Sequence, residues 1–426
     1  MGAGELEPGA PLPPLRDLAA ELGVNPNTVA AAYRLLRDRG VIETAGRRGS
    51  RIRPRPALTS RDATRLVVPE GARNLADGNP DTALLPGLAD AVQTAARAHA
   101  ADPVMYGGPV LDPGLRALAE ASFTDDGVPA APVGVASGSL DAIERIFLAR
   151  LRPGDSVAIE DPGWGSLIDL LPALGLKAVP VAVDDEGPRT EEVSRALADG
   201  VRALVVTSRA QNPTGACVSA ERAVALRGLL AAYPDVLLVE DDHGHGIVDL
   251  PFHPLCTGAD GVPTTSAWAV VRSAAKSLGP DLRVAVFTGD AETVDRVGGR
   301  QRLGAGWVSH LLQRTVAALW AAEDSATAAG SYRARRDGLL AELAARGVVA
   351  YGRSGLNVWI PVPDETVAVA GLLQRGWGVA AGSRFRLASP PGVRLTVSRL
   401  AAAELPLLAE DVAAVLSRRG GDVRGV

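Results

Sequence analysis

Five short apolar runs recur through the middle of this 426-residue chain, and they restrict its fold more than any other feature. The runs occupy residues 157–159, 203–207, 236–239, 268–271 and 284–287. Apolar residues are continuous in each run, and only Thr207 at the end of one run is polar, whereas a strand with one solvent-exposed face alternates apolar and polar side chains. Amphipathic stretches lie between the runs from about residue 75 onward. The pattern predicts an α/β fold in which helices cover both faces of a mainly parallel central sheet.

Polar segments follow several predicted strands at the points where they end. Ligand-binding residues of such sheets gather beyond the carboxyl ends of the strands. A small-residue turn after residues 133–136 leads into a helix predicted at 141–151, whose N-terminus can present N–H groups to an anion. The other segments are a turn ending in Trp164, a Gln-Asn-Pro-Thr-Gly turn containing Asn212, and an acidic cluster containing Asp241. The alternative for the small-residue turn is that it binds no ligand, and the alternative for Trp164 is that it packs in the core.

Lysine is almost absent from this chain, although basic residues are not. Of 44 lysines and arginines, only Lys177 and Lys276 are lysines, and Lys276 lies between the last two apolar runs. An arginine guanidinium does not deprotonate and cannot form an imine, so an amine at this loop indicates a nucleophile. Desolvation at the end of buried strands favours the neutral amine. A solvated surface charge is the alternative, because most lysines are exposed.

These residue types together fit a site for pyridoxal 5′-phosphate. Its aldehyde needs a lysine, its phosphate an anion-binding turn, its ring a flat partner and its pyridinium nitrogen a carboxylate. The motifs resemble the fold type I aminotransferase superfamily over nearly all of residues 75–420. The resemblance implies a large cofactor-binding domain at residues 71–320 and a small C-terminal α+β domain at residues 321–426.

The resemblance also implies roles for individual residues around the cofactor ring. Lys276 would form an imine with the aldehyde, Asp241 would pair with the pyridinium nitrogen, and Asn212 would hydrogen-bond to the ring hydroxyl oxygen. Trp164 would stack on the ring. His243 stands where related regulators usually have a tyrosine that donates to the ring oxygen, so we expect an altered pKa for the bound cofactor.

Further implied roles concern the anionic groups. The phosphate would be held by Ser139, the backbone of Leu140, Ser273 and Arg283, and by Tyr106 from the partner subunit. Arg394 would bind the carboxylate of an amino acid, for which its forked guanidinium is suited. A second carboxylate-binding arginine that some relatives have is absent, since Ser166 and Leu167 occupy that place. Amino-acid binding is therefore a weaker expectation than cofactor binding.

The first 54 residues form a small basic head on an acidic body. Residues 1–56 hold nine arginines and six acidic residues, a net +3, so the rest carries −8 of the chain's net −5. Apolar residues recur with helical spacing in two stretches that end at Gly23 and Gly40, on either side of an Asn-Pro-Asn turn. This pattern predicts a helix-turn-helix, and two short strands flanking residues 45–49 predict a wing. A small helical pair without DNA-binding function is the alternative.

The head resembles the winged helix of the GntR family of bacterial regulators in residues 13–19, 23–29, 32–36 and 40–42. The resemblance implies base contacts from the start of the second helix and phosphate contacts from arginines. The base-reading residues would be Asn25, Asn27 and Thr28, and the phosphate-binding residues would be Arg16, Arg34, Arg47 and Arg48. The family has a further helix before Pro8, for which the chain as given begins too late, so we expect an incomplete first part of the head.

Residues 55–70 contain proline and lack periodicity, which predicts a linker between head and body. A GntR head joined to an aminotransferase-like body resembles the MocR subgroup of regulators. Members of this subgroup are head-to-tail homodimers that bind promoter DNA and sense pyridoxal phosphate or an amino compound bound to it. The resemblance therefore implies a pyridoxal-phosphate-binding transcriptional regulator, with double-stranded promoter DNA and an amino acid or amine effector as its partners.

Two other functions fit parts of the sequence. A working aminotransferase with a vestigial head would use the same Lys276 and Arg394. A zinc site is conceivable at His243, His245 and His253 among neighbouring aspartates, but the spacing lacks a helical ligand pair, and we expect no metal. Two cysteines offer no disulfide framework, and the apolar runs are too short to span a bilayer. We therefore expect a cytoplasmic protein without a membrane partner.

Overall fold

The computed structural model describes residues 9–38, 42–44, 49–52, 60–61, 67–129, 131–258 and 261–417. In the head, α1 spans Leu15–Leu22 and α2 spans Pro26–Asp38. The strands β1 (Ile42–Thr44) and β2 (Ser50–Ile52) pair antiparallel to form the wing. The predicted winged helix-turn-helix is confirmed.

Local sequence explains where the head helices end and begin. Gly23 adopts a left-handed φ of 63° and its N–H bonds to carbonyls of the last turn of α1. This conformation is a common helix terminator that glycine adopts without strain. The Asn25 side chain accepts a hydrogen bond from Asn27 N at 2.8 Å, which caps α2, and Pro26 occupies the first helical position. Both positions match the known preferences of helix N-termini.

The head packs around a small core, which consists of Ala19, Val29, Tyr33, Ile42 and Ile52. Helical spacing placed Leu15 and Leu22 on the apolar face of α1 as well, but these side chains are 39% and 60% exposed. Among the described residues, α1 is therefore anchored mainly through Ala19.

The body contains the remaining elements, which alternate strands and helices as predicted. Its strands are β3 (Arg73–Asn74), β4 (Val133–Ala136), β5 (Ser156–Asp161), β6 (Lys177–Asp184), β7 (Gly187–Pro188), β8 (Ala203–Arg209), β9 (Leu237–Asp242), β10 (Ala267–Ser273), β11 (Ala285–Gly289), β12 (Asn357–Pro361), β13 (Trp377–Gly378), β14 (Ala380–Ala381) and β15 (Gly392–Thr396). Its helices are α3 (Leu88–Ala101), α4 (Pro113–Asp125), α5 (Ser139–Arg150), α6 (Gly165–Ala173), α7 (Thr190–Ala198), α8 (Ala220–Leu230), α9 (Ala291–Arg302), α10 (His310–Ala321), α11 (Ser325–Ala345), α12 (Glu365–Gln374) and α13 (Glu404–Ser417).

An eight-stranded sheet forms the centre of the large domain, in the order β4-β11-β10-β9-β8-β5-β6-β7. The five strands from β10 to β6 are parallel, whereas β11 is antiparallel to both of its neighbours and β7 is antiparallel to β6. Successive residues of each strand enter different cores: Leu238 packs on one face, and Leu237 and Val239 pack on the other. Helices α4, α7, α8 and α10 cover the first face, and α5, α6 and α9 cover the second. The two-sided cover explains the continuous apolar runs.

The small domain is built on a three-stranded antiparallel sheet in the order β12-β15-β14, packed with α11, α12 and α13. β3 pairs in parallel with β13, so the start of the body chain lies against the small domain. Arg394 lies on the central strand β15, opposite Trp359 of β12 and Ala380 of β14. Within the described residues, no helix has the length and apolar character needed to cross a bilayer.

Candidate cofactor-binding site

Most of the residues predicted to bind the cofactor or an amino compound meet at the carboxyl edge of the central sheet. Parallel strands β5, β8, β9 and β10 all end at this edge. Strand β11 runs the opposite way, and Arg283, two residues before its start, therefore returns to the same edge. A cleft of about 290 Å³ lies here. It is lined by six of the predicted residues, namely Trp164, Asn212, His243, Lys276, Arg283 and Arg394.

Lys276 lies in the loop between β10 and β11, and its amine points into the cleft. Lys276 Nζ donates a hydrogen bond to Gly78 O at 2.8 Å. Gly78 has a φ of 68°, and a Cβ atom there would lie 3.0 Å from Arg394 Nη2. Glycine suits this position because it tolerates positive φ and leaves space for the arginine. Ser273 Oγ accepts a hydrogen bond from Ala275 N at 3.2 Å, which shapes the turn that leads to Lys276.

Asp241 and His243 lie side by side at the end of β9. His243 Nε2 is 3.1 Å from Asp241 Oδ2, and Asp241 is only 1% exposed. Burial raises the pKa of Asp241 well above its usual value, and the carboxylates of Asp242 and Glu160 raise it further. Burial lowers the pKa of His243 to about 4, with a contribution from the charge of Lys276. The imidazole is therefore neutral at neutral pH, and a cation bound beside Asp241 would favour its carboxylate form.

The turn between β4 and α5 forms the candidate phosphate site. Gly138 has a φ of 100°, and a Cβ atom there would lie 2.6 Å from Arg283 Nη2, so the guanidinium can approach only because the residue is glycine. Arg283 Nη2 donates to Ser137 O at 2.9 Å. α5 begins at Ser139, so the first N–H groups of the helix, including that of Leu140, have no acceptor within the helix. The turn combines a guanidinium, a hydroxyl and helix N–H groups, which together suit a phosphate.

Arg394 closes the small-domain side of the cleft. Its Nη1 donates to Asn212 Oδ1 at 2.9 Å, and its Nη2 donates to Ala76 O. The guanidinium carbon lies 4.6 Å from the centre of the Phe385 ring. On the other side of the cleft, the Trp164 ring contacts the His243 ring edge-on at 4.8 Å. Because Arg394 bonds to both the large-domain turn and the segment before α3, it ties the two sides of the cleft together.

Ser139 Oγ, Asp241 Oδ1 and His243 Nδ1 are among the buried polar atoms near the cleft that have no hydrogen-bond partner within the described residues. Buried polar atoms without partners are rare in folded proteins, and such atoms at a cleft indicate where ligand atoms belong. A hydroxyl can donate to a phosphate, and a carboxylate can accept from a protonated ring nitrogen. With the amine of Lys276, this donor and acceptor set fits pyridoxal 5′-phosphate.

Tyr106 lies away from the cleft. Its side chain is 91% exposed, and its ring contacts Trp307 edge-on with the ring centres 5.6 Å apart. The role predicted for Tyr106 requires a second copy of the chain, so its position within one copy does not test that role.

The predicted DNA contacts lie on the head, and those that are described are exposed: Arg16, Asn25, Asn27, Thr28 and Arg34. The Asn25 side-chain oxygen caps α2, so this oxygen serves the helix as well as any base contact. Arg47 and Arg48 lie outside the described residues.

Sequence reasoning missed the segment that precedes α3. Asp77, Gly78 and Asn79 line the cleft, and Gly78 accepts the hydrogen bond from Lys276. The Asp-Gly-Asn-Pro run is a turn signal that could have drawn attention to this segment. Arg384 of the small domain also lines the cleft, and nothing in its local sequence indicated that position.

The metal alternative rested on three histidines near the end of β9. Among the described residues, the group whose metal-ligand atoms lie within 4.8 Å of one another consists of Asp126, Asp242 and His245. Arg209 and Arg272 both donate to Asp242 Oδ2, at 2.6 and 3.1 Å. Two guanidinium ions on one buried carboxylate repel a metal cation, so this group is better described as a buried ion-pair cluster.

Comparisons with known proteins agree with the two-part organisation. Residues 72–412 match the aminotransferase class I and II family, and residues 2–52 match the gntR family of bacterial regulatory proteins. The chain is similar to the vitamin B6 salvage pathway transcriptional repressor PtsJ of Salmonella typhimurium strain LT2, with 39% identity over 98% of this chain and 96% of the repressor.

More distant similarities cover a smaller part of the chain. The pyridoxine biosynthesis transcriptional regulator PdxR of Corynebacterium glutamicum is 32% identical over 60% of this chain and 57% of the regulator. A variant of Thermus thermophilus aspartate aminotransferase superimposes with a TM-score of 0.69 and 28% identity, covering 82% of this chain and 98% of the enzyme. An enzyme fold thus accounts for the body alone, whereas a repressor is similar to nearly the whole chain.

Proposed function

The chain belongs to the aminotransferase class I and II family and, through its gntR-type head, to the MocR subgroup of transcriptional regulators, and we propose that it senses pyridoxal 5′-phosphate to control genes of vitamin B6 supply. It is a DNA-binding transcriptional regulator that binds pyridoxal phosphate through its body. The proposal adds the signal and the class of regulated gene. It is supported by similarity to two regulators whose names refer to vitamin B6.

The observation that carries the proposal is the set of orphaned polar atoms around Lys276. When bound, pyridoxal phosphate supplies an aldehyde that condenses with a primary amine. The chain's own residues would hold the cofactor in place: Ser139, Arg283 and the N-terminus of α5 at the phosphate, and Asp241 at the ring nitrogen. These residues would hold the phosphate and the ring while Lys276 meets the aldehyde, and on this proposal the cofactor by itself is a sufficient ligand.

The test compares DNA affinity with and without cofactor. A duplex is first selected from a random library by the full-length protein, in separate selections with and without pyridoxal phosphate. Fluorescence anisotropy then gives the dissociation constant for each state, and we expect a difference of at least fivefold, the lower end of typical allosteric coupling. Lys276→Ala is the control, because it retains the phosphate and ring contacts but offers no amine. Equal DNA affinity with and without bound cofactor would refute the proposal.

An amino compound bound together with the cofactor is a second candidate signal, and Arg394 favours it. The buried guanidinium lines the cleft beside Asn212, and its N–H groups can donate to a carboxylate. Amino acids and amines are added in turn to the loaded protein while absorbance and DNA affinity are recorded. A compound that changes both, and remains bound, is an effector. Conversion to the pyridoxamine form, reversed by a keto acid, would instead show aminotransferase activity.

We also propose that the chain forms a homodimer through an apolar surface beside Tyr106. Exposed apolar residues lie on α3, on the loop after it, on the segment leading into α10 and in the first turn of α10, and α3 packs against α10. They are Leu88, Val92, Met105, Tyr106, Leu303 and Leu311, and Leu303 is 90% exposed. Patches of this kind on soluble domains mark interaction sites. A second copy would cover them and bring Tyr106 towards the other cleft.

Light scattering after size-exclusion chromatography tests the dimer. The wild type should elute with twice the chain mass. Leu303→Glu should shift the equilibrium towards monomer, because the dimer would have to bury a charge at its interface. Leu407→Glu is a matched control, since Leu407 is 59% exposed on α13, away from this surface. A wild-type monomer at micromolar concentration would contradict the proposal.

A further inference from the structure

One residue of the linker bonds to both sides of the ligand cleft. Arg61 lies nine residues after Ile52, the last residue of the wing. Its backbone N–H donates to Asp169 Oδ2 at 2.6 Å, and its Nε donates to Asp169 Oδ1 at 3.1 Å. Its Nη1 donates to Ser383 O at 2.9 Å and to Arg386 O at 3.1 Å. Asp169 belongs to the large domain, whereas the two carbonyls belong to the small domain.

Both contacts of Arg61 are made with elements that form the walls of the cleft. Asp169 is on α6, which follows Trp164 directly and also carries Ser166, a second lining residue. Ser383 is next to Arg384, which lines the cleft from the small domain. Arg61 and Asp169 do not themselves line the cleft, so Arg61 bonds to each wall without occupying the place of a ligand.

We propose that Arg61 is a coupling residue that reports the spacing of the two cleft walls to the DNA-binding head. The inference rests on the proposed function, because it needs a ligand that changes DNA affinity. A single guanidinium bonds to an α6 carboxylate and to two small-domain carbonyls only at one spacing of the walls, since hydrogen bonds lose strength steeply as they lengthen. A ligand that moves one wall relative to the other must strengthen or break this set.

Because Arg61 lies in the linker, this change can be transmitted to the head. Nine residues span at most about 32 Å when fully extended, so the head is tethered close to the point where Arg61 is anchored. When the anchor is lost, the tether lengthens and the two heads of a dimer are held less firmly for adjacent DNA half-sites. The Arg61 and Asp169 side chains are about one third exposed, at 32% and 28%. Exposed ion pairs are weak, so the contact suits a reversible shift between states rather than a permanent lock.

The experiment measures cofactor binding and DNA binding on the same full-length variants. Arg61→Ala removes the side-chain contacts of Arg61. Asp169→Asn keeps Arg61 but weakens its contact with residue 169 by removing the negative charge. Absorbance titration gives the affinity for pyridoxal phosphate, and anisotropy gives the ratio of DNA dissociation constants with and without it. Arg296→Ala is the matched control, because Arg296 is also exposed and bonds to both a carboxylate, Glu292, and a carbonyl, Ala149 O, away from the linker.

We expect both variants to bind pyridoxal phosphate within about twofold of the wild type, since neither residue lines the cleft. In Arg61→Ala, the DNA dissociation constants with and without cofactor should differ by no more than about twofold, whereas typical coupling is fivefold or more. The ratio of the two constants should fall partway in Asp169→Asn and stay unchanged in Arg296→Ala. A wild-type ratio retained by Arg61→Ala would overturn the inference. So would a tenfold loss of cofactor affinity, because Arg61 would then act on the site itself. If the wild type bound DNA equally well with and without pyridoxal phosphate, the proposed function would be refuted, and the inference with it.

Discussion

His243 departs most from the residue expected at its position in the cleft. A neutral imidazole has one N–H group, and the 3.1 Å contact with Asp241 uses it when Asp241 is ionised beside a pyridinium cation. The ring oxygen of a bound cofactor would then receive no hydrogen bond from His243. We predict that His243→Tyr supplies this bond and lowers the pH midpoint of the cofactor's absorbance change by about one unit, the equivalent of one hydrogen bond.

A spectrophotometric titration of the loaded protein measures this midpoint. His253→Tyr serves as the control, because His253 lies outside the cleft lining. If the pH midpoint were unchanged in His243→Tyr, the prediction that a tyrosine hydroxyl supplies a hydrogen bond that His243 does not supply would be wrong.

Residue identity predicted part of the cofactor site and missed the rest for a physical reason. Lys276, Asp241 and Asn212 were predicted because each follows an apolar run with a side chain that is unusual there, and Lys276 and Asn212 line the cleft. Gly78 and Arg384 were missed, because their roles depend on the packing of distant segments against the sheet. A backbone carbonyl that accepts a hydrogen bond has no signature in side-chain chemistry.

At the scale of elements, one carboxylate holds the end of β5 against the small domain. Asp161 accepts hydrogen bonds from Leu387 N, Ala388 N, Ser389 N and Ser389 Oγ, at 2.7 to 2.8 Å. Hydrogen bonds to a charged acceptor are stronger than neutral ones. We predict that Asp161→Asn lowers the free energy of unfolding by about 2 kcal/mol, since the amide carries no charge and keeps only one of the two acceptor oxygens.

Urea denaturation measures this change, and hydrogen exchange at residues 387–389 localises it. Asp295→Asn, an exposed change on α9, should leave both measurements as in the wild type. Unaltered exchange at these residues in Asp161→Asn would show that the loop is held by other contacts.

Strands β5 and β8 are joined by a second buried carboxylate, which makes their stability depend on pH. Glu160 accepts hydrogen bonds from Thr207 N, Thr207 Oγ and Gln211 Nε2. Burial raises its pKa to about 7, although these hydrogen bonds oppose the rise. The folded chain therefore binds a proton here more tightly than the unfolded chain. Its stabilising effect is complete below the unfolded pKa and is lost as the pH rises through 7.

We predict that Glu160→Gln removes this loss. Between pH 4.5 and 7 the difference in unfolding free energy between wild type and variant should change by about 3 kcal/mol, in favour of the variant at the higher pH. Urea denaturation at several pH values measures it, with the exposed Glu120→Gln on α4 as the control. A pH-independent difference would mean that Glu160 does not titrate in this range.

The central sheet shows what sequence patterns determine about elements. Apolar runs located the strands because burial on both faces removes alternation. They did not show that β11 is antiparallel, which is the feature that returns Arg283 to the cleft. Only eleven residues separate β10 from β11, fewer than a parallel crossover usually needs, so loop length was the available signal.

At the scale of the whole molecule, composition separated the head from the body, because a basic segment on an acidic chain implies different partners for the two. It could not show that the linker contacts both domains of the body. That contact is made by one arginine among many, and by backbone carbonyls that any sequence would supply.

The head itself offers a test in which phosphate contact and base contact give different results. Arg34 is exposed on α2 and is predicted to bind phosphate, whereas Asn27 lies at the start of α2 and is predicted to read bases. A phosphate contact releases condensed counterions and carries no sequence information. We therefore predict that Arg34→Ala weakens binding to all duplexes alike and reduces the slope of log affinity against log salt by about one. Asn27→Ala should keep that slope and lower the preference for the selected duplex over a random one, by about 1 to 3 kcal/mol.

Anisotropy titrations at several salt concentrations measure both effects on the full-length protein. Arg97→Ala, on α3 of the body, should change neither the slope nor the preference, because DNA is contacted by the head. If Arg97→Ala reduced the slope as much as Arg34→Ala, DNA would have to lie along the body as well. An acidic body of net −8 opposes such a path, since it repels the phosphate backbone at low salt.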